Sequence, residues 1–177
     1  MQHLTTSIES NILHINISRP KAMNALNIEL LKELNTALDE LYDNDSLIGG
    51  IISGEGEKAF AAGADIAEFA NFESRKGLNM ARNGHRIFNK IENAPRPVVA
   101  AVNGFALGGG CELAMACHLR VAAENAKFGQ PEVNLGIIPG YGGTQRLVQL
   151  VGKGKALELL MTGDMIGAEE AHRLGLV

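Results

Sequence analysis

Apolar and polar residues alternate along Asn11-Ile12-Leu13-His14-Ile15-Asn16-Ile17, the period-two pattern of a half-buried strand. Together with Leu4 onward this predicts two strands between Leu4 and Ser18. Arg19-Pro20 ends the second, because proline brings no N–H to a ladder. The period then changes to that of a helix. Leu30, Leu31, Leu34, Leu38 and Leu41 form one stripe, with Glu29, Lys32, Glu33 and Glu40 placed off it. Asn27 is the expected N-cap and Asp43-Asn44-Asp45 the stop. Ile48–Ser53 reads as a buried strand, 54–58 as a turn and Ala59-Phe60 as extended chain. Asp65 is placed to cap a short helix from Ile66 to Ala70. A longer helix is expected over Ser74–Asn93, with Leu78, Ala81, His85, Phe88 and Ile91 inward and Arg75, Lys76, Arg82 and Arg86 outward. His85 reads as a partly buried, hydrogen-bonded residue rather than a catalyst. Pro95-Arg96-Pro97 blocks continuation of that helix.

The stretch from Pro97 to Arg120 organises the rest. Val98–Val102 is short, apolar and rich in β-branched residues, which suits a buried strand. Asn103-Gly104 turns the chain, and Gly108-Gly109-Gly110 opens a helix that carries Glu112. Residues without a Cβ let the backbone lie against a ligand. The first turn of a helix adds unpaired N–H groups and the positive end of its dipole. Together they make a donor site for an oxygen that is, or becomes, negative. Leu119–Ala123 is a further strand and 126–129 a short one. Pro131 suits a first helical position. Gly136–Thr144 is a glycine-rich bend, and 144–151, 153–162 and 167–174 read as helices. Strands and helices take turns throughout, so the fold class is α/β.

Hydrophobic residues make up 46% and charged residues 20% of the 177-residue chain, enough for one globular domain with its own core. The net charge of −4, with no clustered Lys/Arg face, speaks against nucleic acid as a partner. No apolar run approaches the roughly 20 residues of a membrane span. The first ten residues have neither the basic start of a signal peptide nor the Arg-rich look of a transit peptide, and the expected setting is cytoplasmic. Cys111 and Cys117, with no CxxC, read as reduced core thiols rather than a disulfide or zinc site.

Two carboxylates invite chemistry. Glu112 sits in a first helical turn behind the glycines, and Glu132 follows Pro131 twenty positions later. The strand-like segment between them can bring both to one end of a sheet, where paired carboxylates share a water as general base and general acid. The plain reading also stands: Glu112 complements a helix dipole and Glu132 is solvated. The small residues Ala61-Ala62-Gly63-Ala64 before Asp65 likewise fit either a second place of close backbone approach or a tight turn with no ligand.

FAAGADI (60–66), AVNGFALGGGCELAMACHLRVAAENAKFGQPEVNLGIIPGYGGTQRL (101–147) and LMTGDMIGAEEAHRLGLV (160–177) resemble the enoyl-CoA hydratase/isomerase, or crotonase, family. Arg19–Leu26 is similar to that family's first loop. The resemblance covers essentially the whole chain. It implies a crotonase-like spiral of ββα units over 1–177, assembled as a homotrimer or hexamer, and an acyl-CoA thioester substrate. It implies that the N–H groups of Ala64 and Gly109 form an oxyanion hole. It further implies that Glu112 and Glu132 are the hydratase pair, with Ala62, Asp65, Ile66 and Ala67 lining the substrate site. Lys21 either faces the CoA phosphates or is a solvated lysine. No metal or redox cofactor is implied, since adding water is redox-neutral. Family members continue for several dozen residues past Gly175-Leu176-Val177, through helices that cover the acyl pocket and build the trimer; exposed apolar surface is therefore expected here. The leading expectation is an enoyl-CoA hydratase. The alternatives are double-bond isomerisation or another crotonase reaction, a catalytically silent acyl-CoA-binding or assembly subunit, and, weakest, RNA binding.

Overall fold

The computed structural model describes residues 1–68 and 74–177, with backbone alone at Ala67 and Ser74. The alternating segment forms β2 (Ile12–Ile17), which buries Leu13, Ile15 and Ile17. It pairs antiparallel with β1 (Leu4–Glu9) in a register that leaves Ser10-Asn11 as the turn. Both turn residues have positive φ, 50° and 62°, as a tight hairpin matched to strand twist requires. Helix α1 (Ile28–Asp43) begins where Asn27 Oδ1 accepts the Leu30 N–H at 2.8 Å. Its five stripe leucines are each at most 1% exposed, and the helix packs them against β1 and β2.

Glu33 departs from the pattern. Placed off the apolar stripe by sequence, it is buried, and its carboxylate accepts the N–H groups of Gln2, His3 and Leu4 at 2.6, 2.9 and 3.0 Å. Burial pushes its pKa up, but the three donors outweigh that and hold it below the usual range. It serves the free N–H groups at the start of β1, a partnership across about thirty residues that no local pattern encodes.

The remaining chain is a rising spiral. β3 (Gly49–Gly54) and β4 (Ala59–Ala61) are followed by α2 (Ser74–Glu92). β5 (Val98–Val102) and β6 (Phe105–Leu107) are followed by α3 (Gly109–Ala116). β7 (Leu119–Ala122) and β8 (Lys127–Gly129) lead, through a 3-10 helix at Pro131–Leu135, to α4 (Gly143–Val151). Each pass gives its first strand to one sheet and its second to another. Among the described residues the sheets run β1-β2-β3-β5-β7 and β4-β6-β8-β9, the last strand being β9 (Met165–Gly167). Strands of successive passes pair in parallel. Helices α5 (Lys153–Thr162) and α6 (Ala168–Arg173) complete the described chain.

The elements differ from the sequence reading in three ways. β6 and β9 were not predicted as strands; at three residues each, they are too short to show a period. The inward face of α2 is Gly84, Ile87, Phe88 and Ile91, while Leu78 is 50% exposed and His85 is exposed rather than partly buried. The helix is rotated because the Tyr141 ring lies where a Cβ on Gly84 would be, 2.1 Å from that position, a contact that hydrophobicity does not count. The short helix after Asp65 is a 3-10 turn over Ile66–Glu68; residues 69 and 70 of the expected helix lie outside the described residues.

Candidate active site

The first loop and the spiral build the site between them. Met23 O accepts the Ala62 N–H at 3.0 Å, Leu26 N–H donates to Gly63 O at 2.8 Å, and Asp65 N–H donates to Leu26 O at 2.9 Å. In this parallel bridge of Leu26 with Ala64, the flanking residues make the bonds, so the Ala64 N–H is turned to the opposite side. On that side lies the start of α3. An added Cβ at Gly109 would stand 3.4 Å from Ala64 N. Gly108, with φ 48° and ψ −123°, makes the turn into the helix in a region that side chains rarely adopt. Gly109 is the first residue of α3, where an N–H has no intrahelical partner.

Gly110 belongs to the packing and not to the ligand side. A Cβ there would fall 1.9 Å from Ala61 O, so α3 is seated directly on β4. All eight residues of α3 are buried. That seating carries Glu112, 1% exposed, into the wall of a cavity of about 550 Å³. Ala62, Ala64, Ile66, Gly109, Glu112 and Glu132 all line this one cavity. Asp65 and Lys21 are not among its lining residues. The Asp65 carboxylate meets Arg19 at 2.9 Å, and Lys21 is exposed on the 3-10 turn Pro20–Ala22. Ala67 lies in the Ile66–Glu68 turn; its side chain is outside the described residues. Met80, Leu135, Ile137, Ile138 and Tyr141 give the cavity an apolar lining. The Tyr141 ring stands edge-on to Phe88 at 5.3 Å.

Three partners were not anticipated from sequence. Glu112 Oε1 accepts the N–H groups of Tyr141 at 2.8 Å and Gly143 at 2.7 Å. The Gln130 amide, with its nitrogen toward Glu132, donates to both carboxylate oxygens at 3.3 and 3.2 Å. The Gly140-Tyr141-Gly142-Gly143 run signals close backbone approach, but a bend that approaches a side chain thirty residues earlier cannot be told from one that approaches nothing.

Burial pushes the Glu112 pKa up to about 7, helped by the Glu132 charge and opposed by the two N–H donors and Arg146. Burial also raises Glu132, against its own backbone N–H. Both carboxylates are thus harder to ionise than an exposed one, Glu112 markedly so. The stability consequence has a definite sign. A carboxyl whose folded pKa is raised favours the folded state below its unfolded pKa and loses that advantage as pH rises toward the folded one. From 4.5 to about 7, this amounts to about 3 kcal/mol. Glu112→Gln is therefore expected to gain stability over the parent as pH is raised from 4.5 to 8, in denaturant melts at the two values. A difference independent of pH would remove the buried ionisation.

Among the described residues, no three His, Cys, Asp or Glu side chains are grouped to hold a metal ion. Cys111 and Cys117 are free and buried, with thiol pKa values pushed up to about 12 by burial. No helix among the described residues is long and apolar enough to cross a membrane.

The α/β spiral is the fold of crotonase-type proteins, and solved structures agree. Enoyl-CoA hydratase from Bacillus anthracis superposes with a TM-score of 0.96 at 41% identity, over 99% of this chain and 69% of that one. Residues 7–177 match the family model described as enoyl-CoA hydratase/isomerase, and the chain belongs to that family. It is 50% identical over 169 residues to the short-chain-enoyl-CoA hydratase of Clostridium acetobutylicum and 54% identical over 169 residues to the crotonyl-CoA hydratase of Syntrophomonas wolfei. Each alignment covers 96% of this chain and 65% of the relative, so the chain spans just under two thirds of their length.

Proposed function

We propose that the protein hydrates trans-2-enoyl-CoA thioesters reversibly to 3-hydroxyacyl-CoA. The observation that carries this reading is the convergence of two turned-out backbone amides, Ala64 and Gly109, and two raised-pKa carboxylates, Glu112 and Glu132, on one largely apolar cavity. In this reading the thioester oxygen accepts both amides. Glu112 takes a proton from water as the water oxygen bonds to C3. The C2–C3 π electrons move onto C2 and the carbonyl as an enolate, and Glu132 gives its proton to C2. Water has then been added across the bond, and the proton has moved from one glutamate to the other. Fixed amides stabilise the enolate oxygen without reorganising, and each is worth about 3–4 kcal/mol of barrier. The reaction is redox-neutral and needs no cofactor beyond the CoA of the substrate.

The names of the two relatives support a short-chain substrate. The apolar cavity wall suits an acyl group, and the exposure of Ile138 at 77% and Met161 at 73% suits coverage by further chain or by other copies in a trimer or hexamer. The test is loss of the conjugated-enoyl ultraviolet absorbance of crotonyl-CoA on adding the purified protein. A protein that binds acyl-CoA by calorimetry yet leaves the absorbance unchanged would carry out a different reaction of the family.

A further inference from the structure

Arg146 is 7% exposed, on α4, behind the loop that closes over Glu112. Its Nη2 donates to Asn89 Oδ1 and to Glu92 Oε2 of α2, each at 2.8 Å. Its Nη1 donates to Tyr141 O at 2.8 Å, and its own backbone N–H donates to Gly142 O at 3.0 Å. One residue therefore holds two successive carbonyls of the loop. The same loop turns its opposite edge to the cavity, where the Tyr141 and Gly143 N–H groups grip Glu112. Gly142, at φ 100°, lies so close that an added Cβ would be 2.4 Å from Nη1. The third guanidinium nitrogen, Nε, is buried without a hydrogen-bond partner. Burying a guanidinium with an orphaned donor is a poor way to fill a core position, which leucine or methionine would fill with no unmet polar group. The side chain makes sense there for what its other nitrogens hold.

We propose that Arg146 is the positioning residue for the Glu112 carboxylate, strapping the 141–143 loop to α2 so that its two amides stay aimed at Oε1. Arg146 makes no hydrogen bond with Glu112 itself; it acts through the loop backbone and through its charge, which favours the ionised carboxylate and which Arg146→Lys keeps. The strap fixes one oxygen of Glu112 and leaves the other for water. This inference rests on the hydratase reading.

The test compares Arg146→Met and Arg146→Lys with the parent in steady-state crotonyl-CoA hydration across pH. Misplacing a catalytic group by about 1 Å from outside the site costs up to about 100-fold, so kcat of the methionine variant is expected to fall about 10- to 100-fold with KM within about threefold. The acid limb of its pH profile should move to higher pH, because Glu112 loses both well-aimed donors and a nearby positive charge that favour its ionised form; Arg146→Lys, which keeps the charge, isolates the part due to the strap. Arg146→Lys, able to reach Tyr141 O but not to fork onto both α2 partners, should recover part of kcat. A cavity of about 200 Å³ opens on the far side of Arg146, so millimolar methylguanidinium should partly restore an Arg146→Ala variant. Unchanged kcat and an unmoved acid limb in a folded methionine variant would overturn the proposal. Should that variant not fold, Asn89→Ala, which removes one anchor at an exposed helix position, gives the reading: a displaced acid limb supports the strap, and a parental profile overturns it. A parent that does not hydrate crotonyl-CoA would instead sink the hydratase reading, which separates the two failures.

Discussion

Glu112→Gln and Glu132→Gln are each expected to lower kcat for crotonyl-CoA hydration by about 10²–10⁴-fold, with acyl-CoA affinity within a few-fold of the parent. Glutamine keeps the shape and, at position 112, keeps an oxygen for the Tyr141 and Gly143 amides, so the loss reports proton transfer rather than collapse of the wall. The double variant should fall little below the worse single one, because one proton path needs both groups. The parent should show a bell-shaped profile. Acid protonates the base, alkali strips the acid, and activity needs the pair to share one proton. Stopped kinetics on the two singles and the double decide the point, and a Glu132→Gln enzyme as fast as its parent would falsify the acid–base assignment.

Gly110→Ala should be the most damaging single methyl in the protein's active-site helix. The new Cβ would stand 1.9 Å from Ala61 O and 2.6 Å from Ala61 C. Both are backbone atoms of β4, fully buried and unable to swing aside. Overpacking of this kind costs about 3 kcal/mol or more when backbone has to move. The expected result is a denaturant midpoint lowered by that amount, with hydration reduced as well, since α3 carries Gly109 and Glu112. Gly154→Ala is the matched control. It lies in the first turn of α5, and nothing stands within 4 Å of an added Cβ. It should be neutral or stabilise by about 0.5–1 kcal/mol. Equal effects of the two substitutions would show that α3 is not wedged on β4.

Much of the architecture was legible because it is written in short-range patterns. The β2 alternation, the α1 leucine stripe and the Asn27 cap each involve residues within a few positions of one another, where strand and helix periods act directly. The catalytic candidates were legible for a different reason: the glycine run before Glu112 and the Pro131-Glu132 turn are local signatures of backbone brought near a ligand. The misread positions are those whose partners are remote. Glu33, off the apolar stripe by spacing, is buried because the N–H groups of Gln2, His3 and Leu4 meet it. Asp65, placed at the substrate site by the family resemblance, turns its carboxylate to Arg19. Gly110 looked like a third ligand-facing glycine until β4 lay against it.

The α/β alternation and the inward faces of the first elements were set by the linear chain through spacing, and the two glutamates worth testing by spacing together with the family resemblance of their motifs. That Ala64 and Gly109 stand side by side, that Glu112 is ionised with difficulty and that Arg146 holds the loop gripping it were decided only by tertiary structure. Each of these depends on contacts across about thirty to fifty residues, and on a dry interior where an amide or a charge some ångströms away outweighs every local preference.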